Sequence, residues 1–107
     1  MAIASDNIRG QIDTILLRFL KDHDTYGYEI NRSIEKLSDG EYRLSEASMY
    51  SAFRRLEEEG YIRSYWGDEG SGARRRYYSI TEQGIQKYEK NLEDWELSCR
   101  IIERLVR

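Results

Sequence analysis

Seven residues in the last quarter of the chain set the strongest constraint on what it can fold into. Ile85, Tyr88, Leu92, Trp95, Cys99, Ile102 and Val106 follow one another at steps of 3, 4, 3, 4, 3 and 4. That is an a/d heptad seam held over three heptads, the pattern of a helix lying along another helix. A second stripe, Leu97, Ile101 and Leu105, widens the apolar surface. A chain of 107 residues leaves too little material before this helix to cover it. The seam therefore predicts a homodimer, with Ile85, Tyr88, Leu92, Trp95, Ile102 and Val106 at the dimer interface.

The remainder reads as three helices and a hairpin. There is no proline, so turns must rely on Gly, Asp, Asn and Ser. Apolar residues at Ile8, Ile12, Ile15, Leu16, Phe19 and Leu20 predict an amphipathic helix from Asp6 to about Asp22, with Ser5 as N-cap. Ile30, Ile34 and Leu37 share one stripe of a second helix, Tyr26 to Leu37, released at Ser38-Asp39-Gly40. Met49, Phe53 and Leu56 place a third helix from its N-cap Ser45 to Glu59, with Gly60 at C′. The period then changes to alternation in two aromatic-rich runs, Tyr61 to Trp66 and Ala73 to Ile80. Gly67-Asp68-Glu69-Gly70-Ser71-Gly72 lies between them, so the pair is a β-hairpin with a glycine-rich tip. Thr81 caps the last helix. The fold class is mainly α with a β-hairpin: a winged helix-turn-helix domain over residues 1–80 and a C-terminal dimerisation helix over 81–107.

Composition narrows the function by exclusion. The longest run without a charge is Ala47 to Phe53, so no transmembrane helix is expected. Met1 to Asp6 has neither a basic nor an apolar stretch of the kind a secretion signal needs, and a cytoplasmic location is the default. A single cysteine and a single histidine leave neither an internal disulfide nor a zinc site to expect. No G-x-S-x-G elbow and no phosphate-cradling Gly-rich loop followed by Lys-Ser or Lys-Thr occur, so neither an enzyme nor a cofactor is expected. The net charge of −3 raises no global positive field; the middle third is neutral between acidic flanks, and its basic residues cluster.

That clustering points to DNA. The first half of the third helix presents small polar groups, Ser45, Ser48 and Ser51, together with Tyr50, and then Arg54. Small side chains let a helix approach base edges, and hydroxyls donate to bases or phosphates. A merely solvated helix would carry more Lys and Glu there. Arg74-Arg75-Arg76 follows the glycine-rich tip, and guanidinium groups bind phosphate bidentately. Alternation turns Arg75 away from Arg74 and Arg76. Arg74 and Arg75, nearest the tip, are expected to touch DNA, and Arg76 to be structural; the bland alternative is a hairpin kept soluble by charge. On the first helix, Gly10, Asp13, Thr14 and Leu17 form a second stripe too polar for a sealed core and suited to a cavity wall. Two Trp95 side chains facing one another across a dimer could sandwich a planar aromatic or cationic ligand there. The bland reading makes Trp95 a core anchor.

Three blocks carry a family resemblance: Tyr26-Gly27-Tyr28-Glu29-Ile30, then Tyr50-x-x-Phe53-Arg54-Arg55-Leu56-Glu57-x-x-Gly60-Tyr61-Ile62, then Arg75-Arg76-Tyr77-Tyr78-x-Ile80-Thr81-x-x-Gly84. In this order they resemble the PadR family of bacterial transcriptional regulators, and the single C-terminal helix is similar to its small-size subfamily. Ser64-Tyr65-Trp66-Gly67-Asp68-Glu69 and the place of Trp95 resemble a multidrug-binding member. The resemblance implies a homodimer formed through the last helix, a pseudo-palindromic promoter site, and repression. It puts Tyr50 on the recognition helix, Arg74 and Arg75 on the wing, and paired Trp95 residues on a pore that stacks flat drugs. Gly10, Asp13, Thr14, Leu17, Asn91 and Cys99 would share that wall, which Gly10, Asp13 and Asn91 make more polar than a typical drug pocket. Many members have proline where this chain has Ser51. Two other readings stay open: a winged helix used for protein–protein assembly, and a DNA-binding repressor that takes no ligand.

Overall fold

The computed structural model describes residues 8–68 and 74–107. The expected Ser5 cap, residues 69–72 of the expected tip, and Ala73 of the expected second run lie outside the described residues; Gly67 and Asp68, expected in the tip, belong to the first strand instead. Among the described residues, no helix is long and apolar enough to cross a membrane.

Helix α1 spans Ile12–Asp22. Ile8 and Arg9 are helical, but a turn at Gly10 and Gln11 separates them from α1, and the Gln11 amide donates to the Ile8 carbonyl at 2.6 Å. The single helix expected from Asp6 is thus broken at glycine, whose backbone entropy disfavours a helix interior by about 1 kcal/mol. Leu16, Leu17, Phe19 and Leu20 of α1 enter the core.

Helix α2, Gly27–Leu37, buries Ile30, Asn31 and Ile34. Leu37, expected on that inward stripe, is exposed instead: it borders an open apolar groove that Ile34, Tyr42 and Tyr88 also line. Asp39 and Gly40 turn the chain with φ of 53° and 78°, and the Gly40 amide closes on the Glu35 carbonyl at 2.7 Å. Helix α3, Glu46–Glu58, starts where expected: the Ser45 hydroxyl accepts the Ser48 amide at 3.1 Å. It buries Met49, Ala52, Phe53 and Leu56 and ends at Gly60, whose φ of 83° suits a residue without Cβ.

Strands β1, Ile62–Asp68, and β2, Arg74–Ile80, pair antiparallel in a register that sets Ile62 opposite Ile80 and Trp66 opposite Arg76. Thr25 adds a bridge to the outer edge of β2 through Tyr78, with N···O distances of 3.3 and 2.8 Å. The hairpin is fixed to the core at its base, where Ile62 is buried and the Tyr78 ring stacks on Phe53, centroids 3.9 Å apart and planes at 10°.

Helix α4 runs Glu82–Val106. The Thr81 hydroxyl accepts the Gly84 amide at 3.1 Å and its own proton goes to the Gly60 carbonyl at 2.8 Å, joining the start of α4 to the end of α3. Gly84 is buried so close to the Tyr61 carbonyl that any Cβ there would collide with it. The seam divides in two. Ile85, Tyr88 and Leu92 are half-buried, and Tyr88 packs against the core of its own domain. From Glu93 to Arg107 every residue is exposed, including Trp95, Ile102 and Val106.

Candidate nucleic-acid interface

The outer face of α3 presents Ser45, Ser48, Tyr50, Ser51 and Arg54, all exposed, while Met49, Ala52, Phe53 and Leu56 hold the opposite face in the core. The helix is therefore displayed on a fixed base. Beside it the hairpin stands out from the domain, and a cleft of about 610 Å³ runs between the two. Its walls are Arg54 and Tyr50 from α3, Arg74, Arg75, Arg76, Trp66 and Tyr78 from the hairpin, and Tyr26, Gly27 and Tyr28 from the start of α2. Four guanidinium groups, four tyrosines and a helix N-terminus in one concave surface suit a polyanion with apolar edges. Amide N–H groups and the positive end of a helix favour an anion, and arginine forks bind phosphate. Among the described residues, Glu57 is the one carboxylate in that lining. It is engaged: it accepts the Ser64 hydroxyl at 2.6 Å and lies 3.9 Å from the Arg76 guanidinium.

The three wing arginines have different surroundings. Arg76 donates to the Ser64 hydroxyl at 2.7 Å and pairs with Glu57, so it ties β2 to β1 and to α3. Arg75 is on the other strand face, its guanidinium 4.5 Å from the centre of the Tyr26 ring. Arg74 is exposed, 5.2 Å from the Trp66 ring. On the Arg75 face, Tyr65 and Tyr77 stack at 5.7 Å and Tyr26 meets Tyr77 edge-on at 5.3 Å. The Tyr65 hydroxyl donates to Asp24 at 2.6 Å, and that hydrogen bond raises its pKa. Burial does the same for Tyr78. Both phenols stay protonated near neutrality.

The second stripe of α1 borders two open grooves. Gly10, Asp13 and Thr14 face Asn91 and Trp95 of α4 across a polar groove of about 290 Å³. On the other side of Trp95 is an apolar groove of about 580 Å³, lined among others by Ile8, Thr14, Ile15, Tyr88 and Leu92. Trp95, 45% exposed, forms a wall of both. Leu17 must be corrected: it is wholly buried in the core and lines no cavity wall. Helix α1 packs on α3, β2 and α4 at once, so a side chain that a two-sided reading turns outward is enclosed. Cys99 is exposed on α4 one turn beyond Trp95. Asp13 has a partner no spacing could announce: its carboxylate forms an ion pair with Arg55 of α3. The groove wall is thereby linked directly to the helix that displays Tyr50 and Arg54. Trp66, Tyr26 and Tyr28 stand outside the set expected to touch DNA; the signal that could have found them is an exposed aromatic set beside clustered arginines.

Comparison with known proteins points to one family. The sequence signature described as the transcriptional regulator PadR-like family matches residues 16–90. A transcriptional regulator from Clostridium thermocellum superposes with a TM-score of 0.90 at 47% identity, covering 99% of this chain and 100% of that one. An uncharacterized protein from Lysinibacillus sphaericus is 37% identical over 101 residues, 94% of this chain and 93% of that protein. The transcriptional regulator YqjI of Escherichia coli is 32% identical over 88 residues, 82% of this chain but 41% of its own length.

Proposed function

Because the chain belongs to the PadR-like family of transcriptional regulators, we propose that it is a repressor that binds a pseudo-palindromic promoter site as a homodimer. The observation that carries this reading is the arginine- and tyrosine-lined cleft between α3 and the hairpin. In it α3 enters the major groove, with Ser45, Ser48, Tyr50 and Ser51 toward base edges and Arg54 toward phosphate, while Arg74 and Arg75 follow the backbone alongside. The role is regulatory, and the chemistry is recognition.

The expected result with a labelled fragment of the gene's own upstream region is tight, sequence-selective binding by fluorescence anisotropy. Affinity should fall with salt at a log–log slope of about −5 to −9, as for roughly six to ten phosphates. Arg74→Ala should weaken binding to all duplexes alike and flatten that slope by about 0.9 for each phosphate left unneutralised. A slope near zero would favour the protein–protein reading instead.

The two grooves that meet at Trp95 support an effector site at the dimer centre for a planar aromatic or cationic ligand. The Asp13–Arg55 pair gives such a ligand a route to α3. A ligand that separates the two α4 helices also changes the spacing of two α3 helices that must reach half-sites about one DNA turn apart. Any compound that releases the protein from DNA should then quench Trp95 emission. Trp95→Ala should abolish both responses while changing stability by less than about 1 kcal/mol, as for a side chain on the wall of an open pocket rather than in a packed core. A loss of roughly 3–5 kcal/mol, the cost of deleting a core aromatic, would make Trp95 an anchor and the repressor ligand-independent.

A further inference from the structure

The hairpin carries a half-exposed aromatic residue whose ring contacts, among the described residues, are two arginines. Going outward along β1 on the face turned to α3, Ile62 is buried, Ser64 bonds Glu57, and Trp66 comes next, 53% exposed. On the opposite strand the same face carries Tyr78, Arg76 and Arg74, and the two guanidinium carbons lie 5.4 and 5.2 Å from the Trp66 ring centre. The aromatics of the other face are occupied with one another, Tyr65 on Tyr77 and Tyr77 on Tyr26. Trp66 is given arginines.

A guanidinium stacked on an aromatic ring keeps its N–H edge free for an acceptor, and the ring restricts where that edge points. A half-exposed indole between two such groups matches a partner that alternates negative charge with apolar surface. The sugar–phosphate backbone of duplex DNA does so at every nucleotide. The reach is adequate: the four steps from Tyr78, which rests on Phe53, to Arg74 extend about 13 Å along the strand. Trp66, Arg74 and Arg76 also line the same cleft as Tyr50 and Arg54 of α3, so a duplex seated on α3 brings its backbone toward this part of the hairpin.

We propose that Trp66 is a DNA contact of the wing, its indole packing against deoxyribose while it holds Arg74 and Arg76 toward the flanking phosphates. The proposal rests on the DNA-binding reading above and adds to it an aromatic platform that makes Arg76 a phosphate ligand as well as a structural tie. Specificity for base sequence is not its role, since neither sugar nor phosphate differs between base pairs.

The test compares wild type, Trp66→Ala and Trp66→Phe on the same labelled duplex at several salt concentrations, with thermal melting of each protein in parallel. The expected result is about tenfold weaker binding by Trp66→Ala, equivalent to about 1.4 kcal/mol. Its salt slope should be shallower by about 0.9 for each phosphate released, and its melting temperature unchanged. Trp66→Phe should keep most of the affinity. In a Trp95→Phe protein the remaining indole is Trp66, and its emission should change when duplex is added. Wild-type affinity and slope in Trp66→Ala, or loss of binding that only follows loss of melting temperature, would overturn the proposal while leaving the DNA-binding reading intact. Failure of the wild type to bind any duplex would overturn both.

Discussion

Ile101→Glu is expected to make the protein monomeric and to weaken its hold on a two-half-site duplex by about 10²–10⁴-fold, the range that linking two binding modules supplies. The reason is the exposed half of α4. Leu97, Ile101 and Ile102 are 47%, 43% and 56% exposed, and Leu105 and Val106 are more exposed still. Their spacing continues the apolar stripes that begin where Tyr88 and Leu92 rest on their own domain. A carboxylate in the middle of that surface would have to be desolvated on pairing, and its cost falls on both protomers at once. Nothing in the cleft between α3 and the hairpin is touched, so affinity for a single half-site should stay as it was. Sedimentation equilibrium beside anisotropy on full and half sites measures both quantities. A dimer that persists with full affinity would show that α4 is not the interface.

Asn31→Ala should lower stability by about 2–6 kcal/mol. Asn31 is 4% exposed on α2, and it fills both hydrogen-bonding roles of one peptide neighbour. Its Nδ2 donates to the Leu44 carbonyl at 2.8 Å, and its Oδ1 accepts the Leu44 amide at 2.9 Å. Alanine would strand both backbone groups in the core at roughly 1–3 kcal/mol each. In a domain of this size that corresponds to a melting temperature lower by roughly 10 °C or more. Leu44 is buried and immediately precedes Ser45, the cap of α3. Asn31 therefore also anchors the chain where α3 leaves the core. Asn31→Asp keeps the acceptor but loses the donor and buries charge, so it should be no better than alanine. Circular-dichroism melts decide it, and a change below about 1 kcal/mol would mean that water replaces the side chain without strain.

Much of the candidate site is legible in the sequence because its parts are local. Ser45 and Thr81 cap helices through an amide three residues on, Gly60 ends α3 with a positive φ, and alternation alone separates Arg75 from Arg74 and Arg76. The same locality explains the errors. A stripe at helical spacing says which residues share a face but not how many neighbours that face meets. Spacing puts Leu17 on a cavity wall, and it lies in the core; it puts Leu37 in the core, and it lies outside. Gly10 ends a helix that periodicity alone would carry through.

The chain's own pattern of apolar periods, caps and the three tyrosine- and arginine-bearing blocks determined the order of elements and the family. These depend on interactions within about four residues, where spacing is geometry. Tertiary structure alone decided the pairings across the fold: Asp13 with Arg55, Asn31 with Leu44, Glu57 with Ser64 and Arg76, and Trp66 with Arg74 and Arg76. Each joins elements whose relative placement follows from how a small core closes. A charged or polar side chain has many possible partners at a distance in sequence, and packing selects one.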